Sequence, residues 1–301
     1  MDKIKDLESV NDYCAGFSLS ALHPLVSVVD LSEGTWAIRE KSGAVRYHFY
    51  AVFLKQGQDC ILKYGRQNYD FQDGTLVFLG PGQIVNLKGI DTSLQPSGHA
   101  LLFHPDLLRG SNLSHNLNQY SFFSYEIHEA LHISQRERQI VLDCFEKIHY
   151  ELSQGIDKHS KRLIVSNIEL FLNYCDRFYD RQFITREHVC KGVLEKFERL
   201  LNGYYSSDKP QKIGLPSVAY FAEELHLSAN YFGDLIKKET GKPAKEFIQD
   251  KIIDLAKSKT LHTQKTMSEI AFELGFKYPQ HFTRFFKQRV GCTPNEYRNL
   301  N

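Results

Sequence analysis

The hydrophobic rhythm of the chain changes along its length. Over the first third, short apolar runs rich in Val, Phe and Tyr follow one another: PLVSVVDL (24–31), VRYHFYAVFLK (45–55), DCILKY (59–64) and GTLVFLGPGQ (74–83). Gly43, Gly57, Gly65, Asp73-Gly74 and Gly80-Pro81-Gly82 separate them. Closely spaced strands of this kind predict a small antiparallel barrel or sandwich over about 20–110. HALLFHPDLL (99–108) adds a strand before a turn at Pro105.

From residue 134 the period becomes helical. SQRERQIVLDCFEKIHYELS opens with Ser134 and Glu137 at capping-box spacing, and places Ile140, Val141, Cys144, Phe145, Ile148 and Leu152 at intervals of three and four. KRLIVSNIELFLNYCDRFYD (161–180) and TREHVCKGVLEKFERLLNGYY (185–205) predict two more helices. The polar stretch SSDKPQKIGLP (206–216), with two prolines and a glycine, predicts a linker. The expected division is a front domain over 1–205, with helices at about 134–203, and a tail domain over 217–301.

Beyond that linker the pattern repeats. VAYFAEELHLSANYFGDLIKKETGKPAKEF (218–247) matches MSEIAFELGFKYPQHFTRFFKQRVGCTPNEY (267–297), with one extra residue in the second turn. Ala222 and Leu225 pair with Ala271 and Leu274, Phe232, Lys237 and Gly241 with Phe282, Lys287 and Gly291, and Phe247 with Tyr297. Each copy reads as helix, turn, helix. The small alanines suit a close helix crossing, and Gly275 suits a turn with positive φ where the first copy has His226. Phe282, Phe285 and Phe286 share one face of the second helix, leaving Gln280, His281, Thr283, Arg284 and Lys287 on the remainder. Aromatic anchors hold a helix too short to stand alone and free its other side for contact. A helix-turn-helix presents that side to the DNA major groove, where Arg pairs with guanine and Gln with adenine. Joined by PAKEFIQDKIIDLAKSK (243–259), two such motifs could reach successive groove faces of one duplex.

Charge is consistent with this. Residues 211–301 hold 14 Lys and Arg against 10 Asp and Glu, leaving 23 against 26 in the rest of a chain whose net charge is +1. A mildly basic tail suits a phosphate-bearing partner. Six scattered cysteines without CxxC spacing read as reduced thiols. No run approaches the ~20 apolar residues of a membrane span, and the charged N-terminus lacks a secretory apolar core, so a cytoplasmic protein is expected.

IAFELGF (270–276), HFTRFFKQRVGCTPNEYR (281–298) and the weaker LSANYFGDLIKKETGKPAKEFI (227–248) closely resemble the DNA-binding domain of the AraC/XylS family of bacterial transcription regulators. The resemblance implies an α+β protein, with a cupin-like N-terminal β-barrel plus helices and an all-α C-terminal domain with two helix-turn-helix motifs. It also implies double-stranded DNA and RNA polymerase as partners, with activation the commoner outcome. Carried over residue by residue, base contact falls on Ala229, Asn230, Gly233 and Asp234, with Lys237 beside them, and on Gln280, Thr283 and Arg284, with Lys287 near the backbone and His281 a further candidate for DNA contact. Gly233 has no side chain, and Asp234 suits only a cytosine amino group or a pairing with Lys237 or Lys238.

The front region shows little chemistry. A metal-binding cupin needs several His plus a carboxylate on neighbouring strands, whereas His48 stands alone in its run and His23, His99 and His104 are singly placed. No metal, cofactor or catalytic residue is expected. Trp36, Arg46, His48 and Tyr50 are candidate effector-pocket residues, with Arg46, His48 and Tyr50 alternating against Val45, Tyr47 and Phe49 along one expected strand. Which set faces inward is open. The apolar surplus of the following helices, including Ile168, Phe171, Leu172 and Phe178, suits either a homodimer contact or closure of the core. The rivals to a sequence-specific regulator are a cupin-type isomerase or oxygenase with a helical appendage, and a non-specific architectural DNA binder.

Overall fold

A computed structural model describes residues 4–34, 44–56, 63–64, 67–68, 74–86, 97–126, 129–155, 157–185, 187–262 and 264–300. It divides into two compact units, Met1–Thr185 and Arg186–Asn301. Among the described residues no helix is long and apolar enough to cross a membrane.

The N-terminal unit is sheet-rich. Strand β1 (Ile4–Leu7) and helix α1 (Val10–Gly16) precede β2 (Val26–Asp30), β3 (Ala44–Tyr47), β4 (Tyr50–Gln56), β5 (Lys63–Tyr64), β6 (Gln67–Asn68), β7 (Thr75–Leu79), β8 (Ile84–Asn86) and β9 (Ser97–Phe103). Short helices α2 (Pro105–Leu108) and α3 (Asn112–Asn116) then lead to β10 (Leu131–His132). One sheet has the order β10-β7-β4-β9-β2, a second β1-β3-β8, and β5 pairs with β6. The pairs of the five-stranded sheet are all antiparallel, while β1 lies parallel to β3.

The five-stranded sheet is buried on both faces. Ala51, Val77, Leu79, Ala100 and Leu102 join a core with Leu7, Tyr13, Tyr47 and Phe49, whereas Val52, Leu76, Leu101 and Phe103 lie on the other side of the pleat. On that second side, Phe78 meets Phe122 and Tyr179 with ring centroids at 4.5 and 6.0 Å. Two long helices, α4 (Gln135–Ser153) and α5 (Ser160–Thr185), follow. Ser134 and Glu137 form the expected capping box of α4. Helix α5 closes the edge strand β10: Gln182 Oε1 accepts from the His132 amide at 2.7 Å, and Arg181 Nη2 donates to the His132 carbonyl at 2.7 Å. An otherwise open sheet edge is thereby covered.

Two local expectations change here. The run 45–55 is not one strand. It turns a corner at His48-Phe49, so β3 and β4 belong to different sheets. The charged N-terminus, unassigned from sequence, supplies β1 and α1, because Leu7, Val10, Tyr13 and Cys14 are all buried while charged neighbours face solvent.

The C-terminal unit is all helical: α6 (Glu187–Tyr205), α7 (Lys209–Ile213), α8 (Val218–Glu224), α9 (Ala229–Thr240), α10 (Ala244–His262), α11 (Met267–Glu273), α12 (Pro279–Val290) and α13 (Pro294–Leu300). The expected and observed divisions differ. The stretch 206–216 carries α7, and α6, grouped from sequence with the front domain, packs into the tail. The reason is Phe197, whose ring lies 5.1, 5.0 and 5.4 Å from those of Phe221, Phe232 and Phe247.

Candidate nucleic-acid interface

The two repeats fold as matching helix-turn-helix motifs. In the first, α8 and α9 cross with Ala222 buried, and in the second, α11 and α12 cross with Ala271 buried. Each leading helix is capped by a hydroxyl, Ser217 accepting from the Tyr220 amide and Thr266 from the Glu269 amide. Each second helix ends on a left-handed glycine, Gly241 or Gly291, whose N–H bonds the carbonyl of Lys237 or Lys287 at 2.9 Å. The turns use His226 at φ +56° and Gly275 at φ +92°, as the repeat alignment required.

The apolar sides are equally matched. Phe232 and Phe282 are both fully buried. The second motif builds its aromatic stack from Phe276, Phe282, Phe286 and Tyr297, each ring within 5.9 Å of the next. The first motif borrows Phe197 from α6 for the same purpose. Phe285, expected in the buried set, is only half-buried.

The opposite sides are open. In α9, Ala229, Asn230 and Lys237 are exposed, and Gly233 and Asp234 half-buried. In α12, Gln280, His281, Arg284 and Lys287 are exposed. Thr283 is half-buried, and its hydroxyl donates to the Pro279 carbonyl at 3.1 Å, which leaves its methyl and lone pairs for contact. All ten candidates therefore sit on two helices of one unit, away from the aromatic anchors.

Several contacts hold the motifs in register. Arg289 of α12 reaches α10, with Nη1 at 3.8 Å from Glu246 and 3.6 Å from Asp250, and Nη2 donating to Gln249. Arg298 of α13 donates to the carbonyls of Thr260 and Lys265 at 2.8 and 2.9 Å, satisfying groups left open where α10 ends. Glu273 of α11 accepts from Lys259 at 2.7 Å and also from Lys265, and these hydrogen bonds hold its carboxyl below the usual range. Gly275 packs so tightly that an added Cβ would lie 2.6 Å from the Gly214 carbonyl oxygen, which also accepts from the Tyr204 hydroxyl at 2.8 Å.

The candidate effector residues do not converge. Trp36 lies outside the described residues. Val45, Tyr47 and Phe49 take the buried positions, so Arg46 and His48 face outward. There Arg46 Nη1 donates to Asp6 Oδ1 at 3.3 Å, and His48 Nε2 lies 3.1 Å from Asp6 and 3.7 Å from Glu8. Tyr50 is on the other sheet, stacked on Phe103 at 5.0 Å. Asp6, Glu8 and His48 form a group of metal-ligand type, but Arg46 already engages the Asp6 carboxylate. Along the sequence His48 stands alone because its acidic neighbours, Asp6 in β1 and Glu8 just after it, lie about forty residues earlier. Ile168, Phe171, Leu172 and Phe178, weighed as dimer contacts, are buried inside the N-terminal unit.

One surface residue escaped sequence reading. Tyr278, directly before α12, is 54% exposed and lies edge-on to His281 at 5.4 Å. Among so many core aromatics, only its place just ahead of Pro279 set it apart.

Residues 221–300 match the profile of a family described as a helix-turn-helix domain. The chain is 30% identical over 258 residues to the HTH-type transcriptional regulator YfiF of Bacillus subtilis, spanning 85% of this chain and 78% of that protein. It is 27% identical over 131 residues to the HTH-type transcriptional regulator YobQ of the same organism, covering 39% of this chain and 54% of that protein. A solved C-terminal domain of the two-component response regulator yesN from Fusobacterium nucleatum aligns over 36% of this chain and 98% of its own length, at 26% identity and a TM-score of 0.32.

Proposed function

The chain belongs to the AraC-type helix-turn-helix transcriptional regulators and is a DNA-binding regulator of transcription, and on that premise we propose which groups read the operator and what the N-terminal unit adds. Arg284 and Gln280 of α12 contact base edges, Arg284 pairing with guanine and Gln280 with adenine. Thr283 offers its methyl to a thymine, and His281 and Lys287 contact the backbone. In α9, Ala229, Asn230, Gly233 and Asp234 face the groove with Lys237 at a phosphate. The observation that supports this most is the division of each second helix into a buried aromatic side and an open polar side.

The sheet-rich unit acts as the cupin-like sensor or as the contact for a homodimer. Effector binding or pairing of two chains then shifts the population of tail arrangements presented to DNA. Pairing would raise operator affinity through effective concentration. RNA polymerase is the partner at the promoter, and the protein works in the cytoplasm without a catalytic step.

In vitro selection of bound DNA with the full chain tests the reading. A defined operator bound at least about a thousandfold tighter than random DNA is the expected result, and equal binding of both makes the protein an architectural binder. A fragment starting at residue 186 that matches the full chain in operator affinity and transcriptional output under every condition removes the sensor role.

A further inference from the structure

Between the edge strand β2 and helix α4 of the N-terminal unit lies a cleft of about 500 Å³. That volume is within the range of small-molecule sites, about 300–1,000 Å³. Its walls divide by chemistry. Val28, Leu142 and Phe145 form an apolar floor, and three carboxylates, Asp30, Glu33 and Glu146, stand around it. Among the described lining residues there is no Lys or Arg to neutralise them.

Asp30 is fixed by its own turn, while Glu33 and Glu146 are exposed. Asp30 accepts from the Ser32 amide at 2.8 Å and from its hydroxyl at 2.6 Å. Burial works to raise the Asp30 carboxyl, but the Ser32 bonds together with His99 outweigh it, so the group stays below its ordinary value and ionised. Opposite Asp30 in the β2–β9 register is His99, which also lines the cleft. Its Nδ1 is buried and has no hydrogen-bond partner among the described residues. An apolar floor beneath three carboxylates, with the imidazoles of His99 and His149 as the basic side chains beside them, disfavours carboxylates and phosphates and selects a positive group on an apolar body.

We infer that this cleft is the effector site of the N-terminal unit and that it takes a small organic amine. The ammonium sits among Asp30, Glu33 and Glu146, and the apolar body rests on Val28, Leu142 and Phe145. Control of DNA binding by this site rests on the sensor reading above, whereas amine binding itself does not.

Three probes with one ring and different charge separate the outcomes: 2-phenylethylamine, 2-phenylethanol and phenylacetate, each titrated into the full chain by calorimetry. The amine is expected to bind at concentrations of about 1 mM or below, with the alcohol weaker and the carboxylate silent. Glu146→Gln, an exposed position on α4, and Asp30→Asn, which keeps an acceptor for Ser32, should each weaken the amine about fivefold, the size of one partly exposed charge pair. Equal binding of amine and carboxylate, no amine binding up to about 10 mM, or unchanged affinity in both variants overturns the site. Operator affinity is measured in the same samples. Amine binding that leaves it unchanged overturns the effector role, while intact operator binding without amine binding removes the cleft proposal and leaves the regulator standing.

Discussion

The two helix-turn-helix motifs share a plan but differ in how they are completed. The second is nearly self-sufficient: Phe276, Phe282, Phe286 and Tyr297 stack within it, a Thr266–Glu269 capping box starts it, and Gly275 makes its turn. The first leans on α6 for Phe197, starts from Ser217 without a capping-box acid, and turns through His226 at φ +56°. Their open faces differ in the same sense. The second exposes Gln280, Arg284 and Lys287, whereas the first exposes Asn230 and Lys237 beside a glycine and an aspartate. A duplicated motif has thus kept one well-equipped copy and one that its neighbours prop up.

Removing the prop should have the largest effect. Phe197→Ala is expected to cost about 3–5 kcal/mol, because a fully buried ring leaves a cavity among Phe221, Phe232 and Phe247. Hydrogen exchange should show α9 losing protection before α12. Equal loss in both would mean that the motifs share one cooperative core. For the same reason a fragment beginning at residue 206 should be less stable than one beginning at 186.

The turns give the next contrast. Gly275→Ala combines an unfavourable φ with a Cβ pressed against the Gly214 carbonyl, and about 3 kcal/mol is expected from the two together. His226→Gly relieves backbone strain but loosens the unfolded chain, so thermal denaturation should show a change below about 1 kcal/mol.

On DNA, Arg284→Ala should relax preference at one base position by about 1–3 kcal/mol, whereas Lys287→Ala should weaken all sequences alike and lower the salt slope by about one. Asp234→Ala should change operator affinity by less than Arg284→Ala does. The reverse order would make the first motif the principal reader.

Acid gives the smallest and most gradual contrast. Hydrogen bonds from the Thr266 amide and hydroxyl hold Glu269 below its ordinary value, the Thr293 amide and hydroxyl do so for Glu296, and Lys259 and Lys265 for Glu273. Depressed carboxylates bind fewer protons folded than unfolded, so their contribution is present above about pH 4.3 and is lost as the pH falls through the lower folded values. All three belong to α11 and α13, so acid titration followed by circular dichroism and exchange should loosen the second motif first.

Much of this was legible in the chain. Glycines, small crossing residues and aromatics at fixed offsets mark a local structure, and the repeat doubles each mark, so the motifs and their open faces follow from spacing alone. What escaped is non-local. The allegiance of α6 depends on where Phe197 lands, and polar 206–216 resembled a linker although Pro210 is buried. The corner at His48-Phe49 is invisible when both sides of it read as strand. The outward placement of Arg46 depends on a parallel partner strand from the N-terminus. The amine cleft joins a strand end to a helix over a hundred residues away, and neither carries a motif.

The Gly214–Gly275 contact has a consequence for the operator itself. The backbone ahead of the first motif abuts the turn of the second, and on the proposed reading this contact should make the pair act on DNA as a ruler of set length. One base pair inserted between the contacted segments advances the second segment by about 34° of helical phase. A ruler that resists this rotation would shift the strain to the duplex, so operators whose middle steps deform easily should gain affinity without being touched there.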